Sequence, residues 1–374
     1  MKRNHQIDFF KGLLLLIITV DHFMDSDNLL KKFTFEFVGP VSAAEGFVFL
    51  SGLTVGLIYT SKLSKAGIAS VVSATRKKAW HIYRHHFLLF LLAWVFLVSE
   101  QASFQYWEGE YAAILELPLQ TLLLGGLLVY QPFLLDILPM YVLFMLLTPY
   151  ILRLYRERFH WQVLALSFLV YLEGTFGIII PATDSFLTNS PLLSGYFNLL
   201  CWQFLFTGGL FVGHLIFYQK TEPIRKSKPL LYLSLLVCFP LFFINFFYIS
   251  LEGINLEFWT ERGHLRPLRL LNFAALVVIL SHLATRFKSW FQAKAVCYLG
   301  RHSLQVFSLH ILLVLFFKPL ITNLNTVYPV KLTNNFYFYP VGTAMVLFIM
   351  IPTLYLAPLL AAYRKQSAQV KQTT

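Results

Sequence analysis

Hydrophobic residues in this chain come in long unbroken runs, and the polar residues between them come in short clusters. Each run reaches about 17–25 residues, the length a helix needs to cross a hydrocarbon core about 30 Å thick. Ten spans can be drawn, near 8–25, 41–60, 80–99, 137–152, 161–180, 197–218, 229–250, 268–285, 300–317 and 337–361. Between the third and fourth lies LPLQTLLLGGLLVYQPFLLD (117–136), apolar but interrupted by Gly125, Gly126 and Pro132. Counting it as a full span would put RLYRERFH (153–160) outside and disturb the charge bias of every later loop. It therefore reads as a re-entrant or interfacial segment. The predicted fold is an all-α integral membrane protein, a polytopic helical bundle of about 10 transmembrane helices. It forms a single membrane domain over 1–374, with a polar tail at 362–374.

Composition agrees with that pattern. The chain is 57% hydrophobic and only 13% charged, where soluble domains run nearer 25% charged. Its net charge of +12 could suggest nucleic acid. The basic residues, however, sit in short clusters between apolar runs, which is the positive-inside pattern of cytoplasmic loops. With the amino terminus inside, Lys2/Arg3, Lys62 to Arg84, Arg153/Arg156/Arg158, Lys220 to Lys228, Arg286 to Arg301 and Arg364/Lys365/Lys371 share one side. The other side receives the acidic or neutral loops 100–116 and 181–196. Both termini are then cytoplasmic. Cys201, Cys238 and Cys297 have neither metal nor redox spacing, so no disulfide or metal site is expected. The first run lacks a small-residue cleavage site and carries charges, so it is expected to be retained rather than removed as a signal peptide.

The first run, IDFFKGLLLLIITVDHFM, holds Asp8, Lys11, Asp21 and His22. Each charged group at membrane depth costs about 2.5–3.5 kcal/mol on insertion scales, which makes it a functional candidate. Lys11 and His22 are eleven residues apart, so they share one helix face about 16 Å apart along the axis. An imidazole near neutral pKa is the usual base for activating a hydroxyl. Asp21 is adjacent in sequence but about 100° round the helix, and Asp25 at i+3 is better placed to orient the ring. The plainer alternative is a histidine in an interhelical polar network. Asp8 and Lys11 can pair at i, i+3, or serve as a capping acid and a snorkelling lysine at the cytoplasmic boundary.

Three further stretches carry candidate groups. In AAEGFVFLSG (43–52), Glu45 opens an apolar run and could face His22 across a helix pair. Packing of small residues explains Ser51 and Gly52, but not Glu45. RKKAWHIYRHH (76–86) offers Lys77, His81 and Arg84 for phosphates, against a topogenic role that suits Arg76 to Lys78 better. His81, His85 and His86 have no carboxylate at ligand spacing, which argues against a metal. In YLGRHSLQVFSLH (298–310), His310 lies seven residues beyond Ser303, and a buried hydrogen-bonded histidine is its default role. Gln203 in the sixth span suggests a polar lining.

These residues resemble a known family. DFFKGLLLLIITVDHF, AAEGFVFLSGL, YRHH (83–86), LDILPMYVLF (135–144), WQFLFTGGLFVG (202–213) and YLGRHSLQVFSLH follow the order seen in OpgC-type proteins of the acyltransferase-3 superfamily. The superfamily's first-span signature is a basic residue, ten intervening residues, then histidine. Lys11 and His22 match it, with lysine in place of the commoner arginine. Glu45 matches the family's acid before FFxLSG, Ser51 its serine, Arg84 and less closely Lys77 or His81 its basic pattern, and His310 its late histidine. The resemblance implies transfer of an acyl group, possibly succinyl, from cytoplasmic acyl-CoA to hydroxyls of a periplasmic glucan, in a bacterial inner membrane. It implies no cofactor beyond acyl-CoA as co-substrate. The expected partners are membrane lipids, that donor and a glycan acceptor, and not nucleic acid. His22 is the expected base, with Asp21, Asp25 and Glu45 as its catalytic neighbours. Lys11, Arg84, Lys77 and His81 are expected to bind donor, and Asp8, Ser51, His310 and Gln203 to line the passage. The rival class is a transporter or flippase for a lipid-linked sugar or organic anion, with the same groups as a proton relay. Matching Gly/Pro-broken spans in two halves would favour it, and none is seen.

Overall fold

A computed structural model describes residues 3–99, 101–177, 195–247, 255–327, 329–332 and 337–359, with the backbone alone for 101–104. The tail at 362–374, most of the loop at 181–196, and Lys2 lie outside the described residues. In chain order the main helices are α1 (His5–Phe23), α2 (Leu29–Lys32), α3 (Ala43–Ser99), α4 (Gln101–Glu116), α5 (Pro118–Gly126), α6 (Ile137–Arg156) and α7 (His160–Phe176). They continue with α8 (Leu199–Phe217), α9 (Lys228–Phe246), α10 (Pro267–Arg286), α11 (Lys294–Arg301), α12 (Ser303–Val327) and α13 (Pro340–Leu359). Two-residue strands, Val330–Lys331 and Tyr337–Phe338, pair antiparallel.

Among the described residues seven helices are long and apolar enough to cross a membrane: α3, α6, α8, α9, α10, α12 and α13. The chain is thus an all-α membrane protein, with seven such helices against the ten spans drawn from the sequence. Three differences account for the gap. The runs at 41–60 and 80–99 both fall in α3, two helical segments that meet at a kink at Gly67 (φ 72°, ψ 178°) and count together as one stretch of 57 residues. Helix α1 carries Asp8, Lys11 and Asp21, and α7 is only 17 residues long.

The connection at 100–116, read as a loop from its charge, contains helix α4. It is helical in two pieces that meet at Tyr111 (φ −131°, ψ 15°), with Trp107, Tyr111 and Ile114 buried while Glu108, Glu110 and Glu116 are exposed. The interrupted stretch 117–136 forms α5, nine residues long. At 1.5 Å per residue that is about 13 Å, too short to cross a bilayer alone.

The chain divides into two compact units, one from residues 1–44 and 283–374, the other from 45–282. In the first, α1 packs on α11 and α12. Gly12 and Gly300 make this possible, because a Cβ on Gly12 would strike the Val296 carbonyl and one on Gly300 the Asp8 carbonyl. Phe10 stacks on Phe291 at 5.0 Å beneath them. In the second unit, Gly52 and Gly56 of α3 meet the backbone at Phe206 and Leu210, and Gly209 and Gly213 of α8 meet Phe49 and Leu53. This reciprocal small-xxx-small contact replaces the hydrophobic drive that lipid cannot supply. Asn198 caps α8 by accepting from the Leu200 and Cys201 amides.

Candidate functional site

Helix α1 runs unbroken from His5 to Phe23, so Lys11 and His22 keep the shared face and the separation of about 16 Å that helix geometry dictates. Polar groups mark this helix at both ends and are met by α11 and α12. At its start the buried Asp8 accepts from Arg3 Nε (2.6 Å) and Nη2 (3.0 Å), a bidentate grip. Arg301 Nε lies 3.4 Å from the same carboxylate, and its Nη2 is 2.9 Å from His5 Nδ1. The Gly12–Gly300 crossing is what carries Arg301 to this position. Lys11 is half-buried on α1, one turn further on.

At the other end, His22 Nδ1 is 3.0 Å from His310 Nε2, with the rings stacked at 5.0 Å and 26°. His310 is fully buried on α12, while His22 is half-buried. Asp21 is buried, and its Oδ1 accepts from the Thr34 hydroxyl at 2.5 Å. Asp25 accepts from Lys318 Nζ (2.6 Å) and Asn325 Nδ2 (3.2 Å). Its oxygens are therefore engaged with α12 instead of with the His22 ring. Lys318 Nζ also donates to the Phe23 carbonyl at 2.8 Å, and Lys31 Nζ to the Met24 carbonyl at 3.0 Å. Two ammonium groups thus satisfy the carbonyls that the end of α1 leaves unpaired, immediately after His22. Beyond them, Asp27 accepts from Tyr339 at 2.6 Å.

The second unit holds the remaining candidates. Glu45, in the first turn of α3 and 0% exposed, receives Arg269 Nη1 at 2.6 Å. Arg269 Nε donates to the Thr260 carbonyl at 2.7 Å. Ser51 sits half-buried on α3 beside Gly52. Gln203 is engaged between helices: it accepts from Ser167 Oγ (2.6 Å) and donates to the Ser167 carbonyl (2.7 Å). That joins α7 to α8. Lys77, His81 and Arg84 are exposed along the middle of α3. Their neighbours Tyr83 and His86 reach α5, through Gly126 O at 3.0 Å and Gly125 O at 3.4 Å.

Near Arg269 a turn over 261–266 closes against α8. Trp202 Nε1 donates to Gly263 O at 2.9 Å, and Arg262 stacks on Tyr196 at 4.6 Å. Burial alone would push the Glu261 carboxyl up, but donation from the His264 ring and from the His264 and Gly263 amides outweighs it. Glu261 is held at about 2.

Sequence reasoning missed Lys318, Arg269 and Arg301 as partners. Lys318 lies inside FFKPLITNL, an intramembrane charge by composition, but the ninth span was ended one residue before it. Arg269, in the first turn of α10, was not singled out within the eighth span, and Arg301, which ends α11, was counted with loop charge.

No curated protein and no solved structure matches this chain. A model of the protein family described as OpgC protein matches residues 3–353. That match spans nearly the whole sequence, and the chain belongs to the OpgC family.

Proposed function

We propose that this protein modifies osmoregulated periplasmic glucans by moving an acyl group from cytoplasmic acyl-CoA to a glucan hydroxyl. Family membership supports the glucan. The observation that carries the transfer chemistry is the His22–His310 contact at the far end of a helix whose near end is ringed by Arg3, Arg301 and Lys11. In this reading the near end is cytoplasmic, the far end periplasmic, and both chain termini are cytoplasmic. The membrane is then the bacterial inner membrane. Likeness to the acyltransferase-3 superfamily belongs to the same proposal.

His22 takes the proton from the acceptor hydroxyl as oxygen attacks the thioester carbonyl, and returns it to the departing CoA thiolate. Lys11 in the first unit, and separately Arg84, Lys77 and His81 in the second, are the groups suited to the donor's phosphates or the carboxylate of a succinyl group. Asp21 and Glu45 are each buried in firm polar contacts, which suits groups that shape the site. Asp8 is gripped between two arginines and fixes the cytoplasmic mouth.

The decisive test uses purified full-length protein, labelled acyl-CoA and a glucan. Transfer of label to glucan is expected, and His22→Ala should lower it by roughly 100-fold or more while membrane insertion is unchanged. Full activity in that variant would remove His22 from the role. Transport of a lipid-linked sugar or organic anion without label transfer would establish the rival class instead.

A further inference from the structure

We infer that the outward stripe of α3 carrying Lys77, Trp80 and Arg84 is a docking site for the headgroup of an anionic phospholipid. The inference goes beyond the acyl-transfer reading and takes from it only the leaflet, the cytoplasmic one. A donor's phosphates offer these cations the same chemistry as a lipid phosphate. The face of the helix on which they stand decides between the two sources.

Beyond the kink at Gly67, residues 68–99 of α3 run as one helix. Lys77, His81 and Arg84 each precede an exposed apolar residue, Leu88, Leu92 and Val95 respectively, by eleven positions. Eleven residues make three turns and about 20°, so the cations and these apolar residues share one stripe. Buried positions, among them Ile82, His86, Ala93 and Leu97, occupy the opposite side. The exposed stripe of a membrane span is covered by hydrocarbon, and its continuation past the hydrocarbon edge meets headgroups. Arg84 stands one turn before Leu88, about 6 Å along the axis, and the headgroup layer is about 5–8 Å deep on each side. Cβ atoms lean toward a helix's amino terminus, so the long side chains of Arg84 and Lys77 reach away from the hydrocarbon into that layer.

Charge and shape suit a lipid phosphate there. From Lys62 to Ser99 the sequence has no acidic residue, and among the described residues no carboxylate pairs with Lys77 or Arg84. Trp80, 60% exposed, stacks on Tyr83 (5.2 Å, 17°), and Tyr83 on Phe87 (6.1 Å, 15°). Tyr83 Oη donates to the Gly126 carbonyl at 3.0 Å, so this ladder of rings is pinned to α5. An exposed indole with a cation three residues before it and another four after is the side-chain set of a membrane interface. A zwitterionic headgroup brings its own ammonium, which both cations repel, whereas an anionic one does not. A phospholipid also lays its chains along Leu88, Leu92 and Val95 while its phosphate meets the cations. The nucleotide of a donor has no apolar part to cover that stripe.

The test reads Trp80 by fluorescence in the full-length protein, reconstituted in phosphatidylcholine bilayers. A growing fraction of the lipid is replaced by either brominated phosphatidylglycerol or brominated phosphatidylcholine, and the Trp80 signal is the difference from Trp80→Phe. Brominated phosphatidylglycerol should quench Trp80 at a roughly 5-fold lower mole fraction than its zwitterionic counterpart, and raised salt should narrow that gap. Lys77→Gln combined with Arg84→Gln, both at exposed positions, should make the two lipids equal. Equal quenching in wild type, or a preference that survives both salt and the double variant, overturns the inference. So does an indole that neither lipid quenches, because protein then covers the stripe. If saturating coenzyme A abolishes the preference, the cations belong to the donor and the lipid site falls. The readout involves no transfer of label, so either reading can fail while the other stands.

Discussion

At the scale of single residues, charge inside the apolar runs is answered by charge. Lys318 is 8% exposed, and its ammonium is tied to Asp25 and to a backbone carbonyl. Removing one member of such a pair strands the other in low dielectric, which costs far more than the pair itself contributes. Lys318→Met should therefore destabilise the protein by roughly 3 kcal/mol, seen as a lower Tm of the purified chain in detergent. Adding Asp25→Asn should restore more than half of that loss, because the stranded carboxylate is then gone. The unusual residue types were legible in the sequence: Lys11, His22, Glu45 and His310 were all singled out because an apolar helix gives no reason for them. Their partners were not legible. Arg269 is distant from Glu45 in the chain, and Lys318 from Asp25, so no spacing rule joins them. His310 was expected to be buried and hydrogen-bonded, but that its partner is His22 is a tertiary fact.

At the scale of elements, the hydrophobic pattern located helices well and counted crossings less well. The runs at 137–152, 197–218, 229–250, 268–285 and 337–361 overlap α6, α8, α9, α10 and α13 closely. Hydropathy cannot register that an acidic connection coils into α4, because that depends on backbone propagation through polar residues. The adjacent glycines of the sixth span, Gly208 and Gly209, differ in their surroundings. Gly209 meets the Phe49 backbone of α3, whereas Gly208 has open space beside it. Gly209→Ala should force α3 and α8 apart and lower the Tm, whereas Gly208→Ala should leave it unchanged or raise it slightly, since alanine is the better helix former by about 1 kcal/mol. Thermal unfolding of the two neighbouring variants checks the assignment, and equal effects would contradict it.

For the molecule as a whole, the half-buried turn at 261–266 gives a handle on acid stability. Glu261 is held at about 2 against an ordinary value of 4.5. A carboxyl lowered in the folded state contributes stability that is fully present above its unfolded value and is lost as pH falls toward the folded one. The contribution should therefore fade between about pH 4.5 and 2. It should be modest, because the side chain is 36% exposed and solvent screens it. Glu261→Gln should show a shallower fall in Tm over that window and a slightly lower Tm at neutral pH. A steeper fall in the variant would mean that other carboxylates dominate there.

The Gly12–Gly300 crossing has a mechanical consequence. Backbone meets backbone there, so α1 and α11 have no cushion of side chains to shear across. Arg301 faces Asp8, His310 faces His22, and Lys318 faces Asp25 in one common alignment along α1. Sliding α1 by a single helical pitch, about 5.4 Å, would break all three contacts at once. A piston stroke of this helix against α11 and α12 is thereby forbidden.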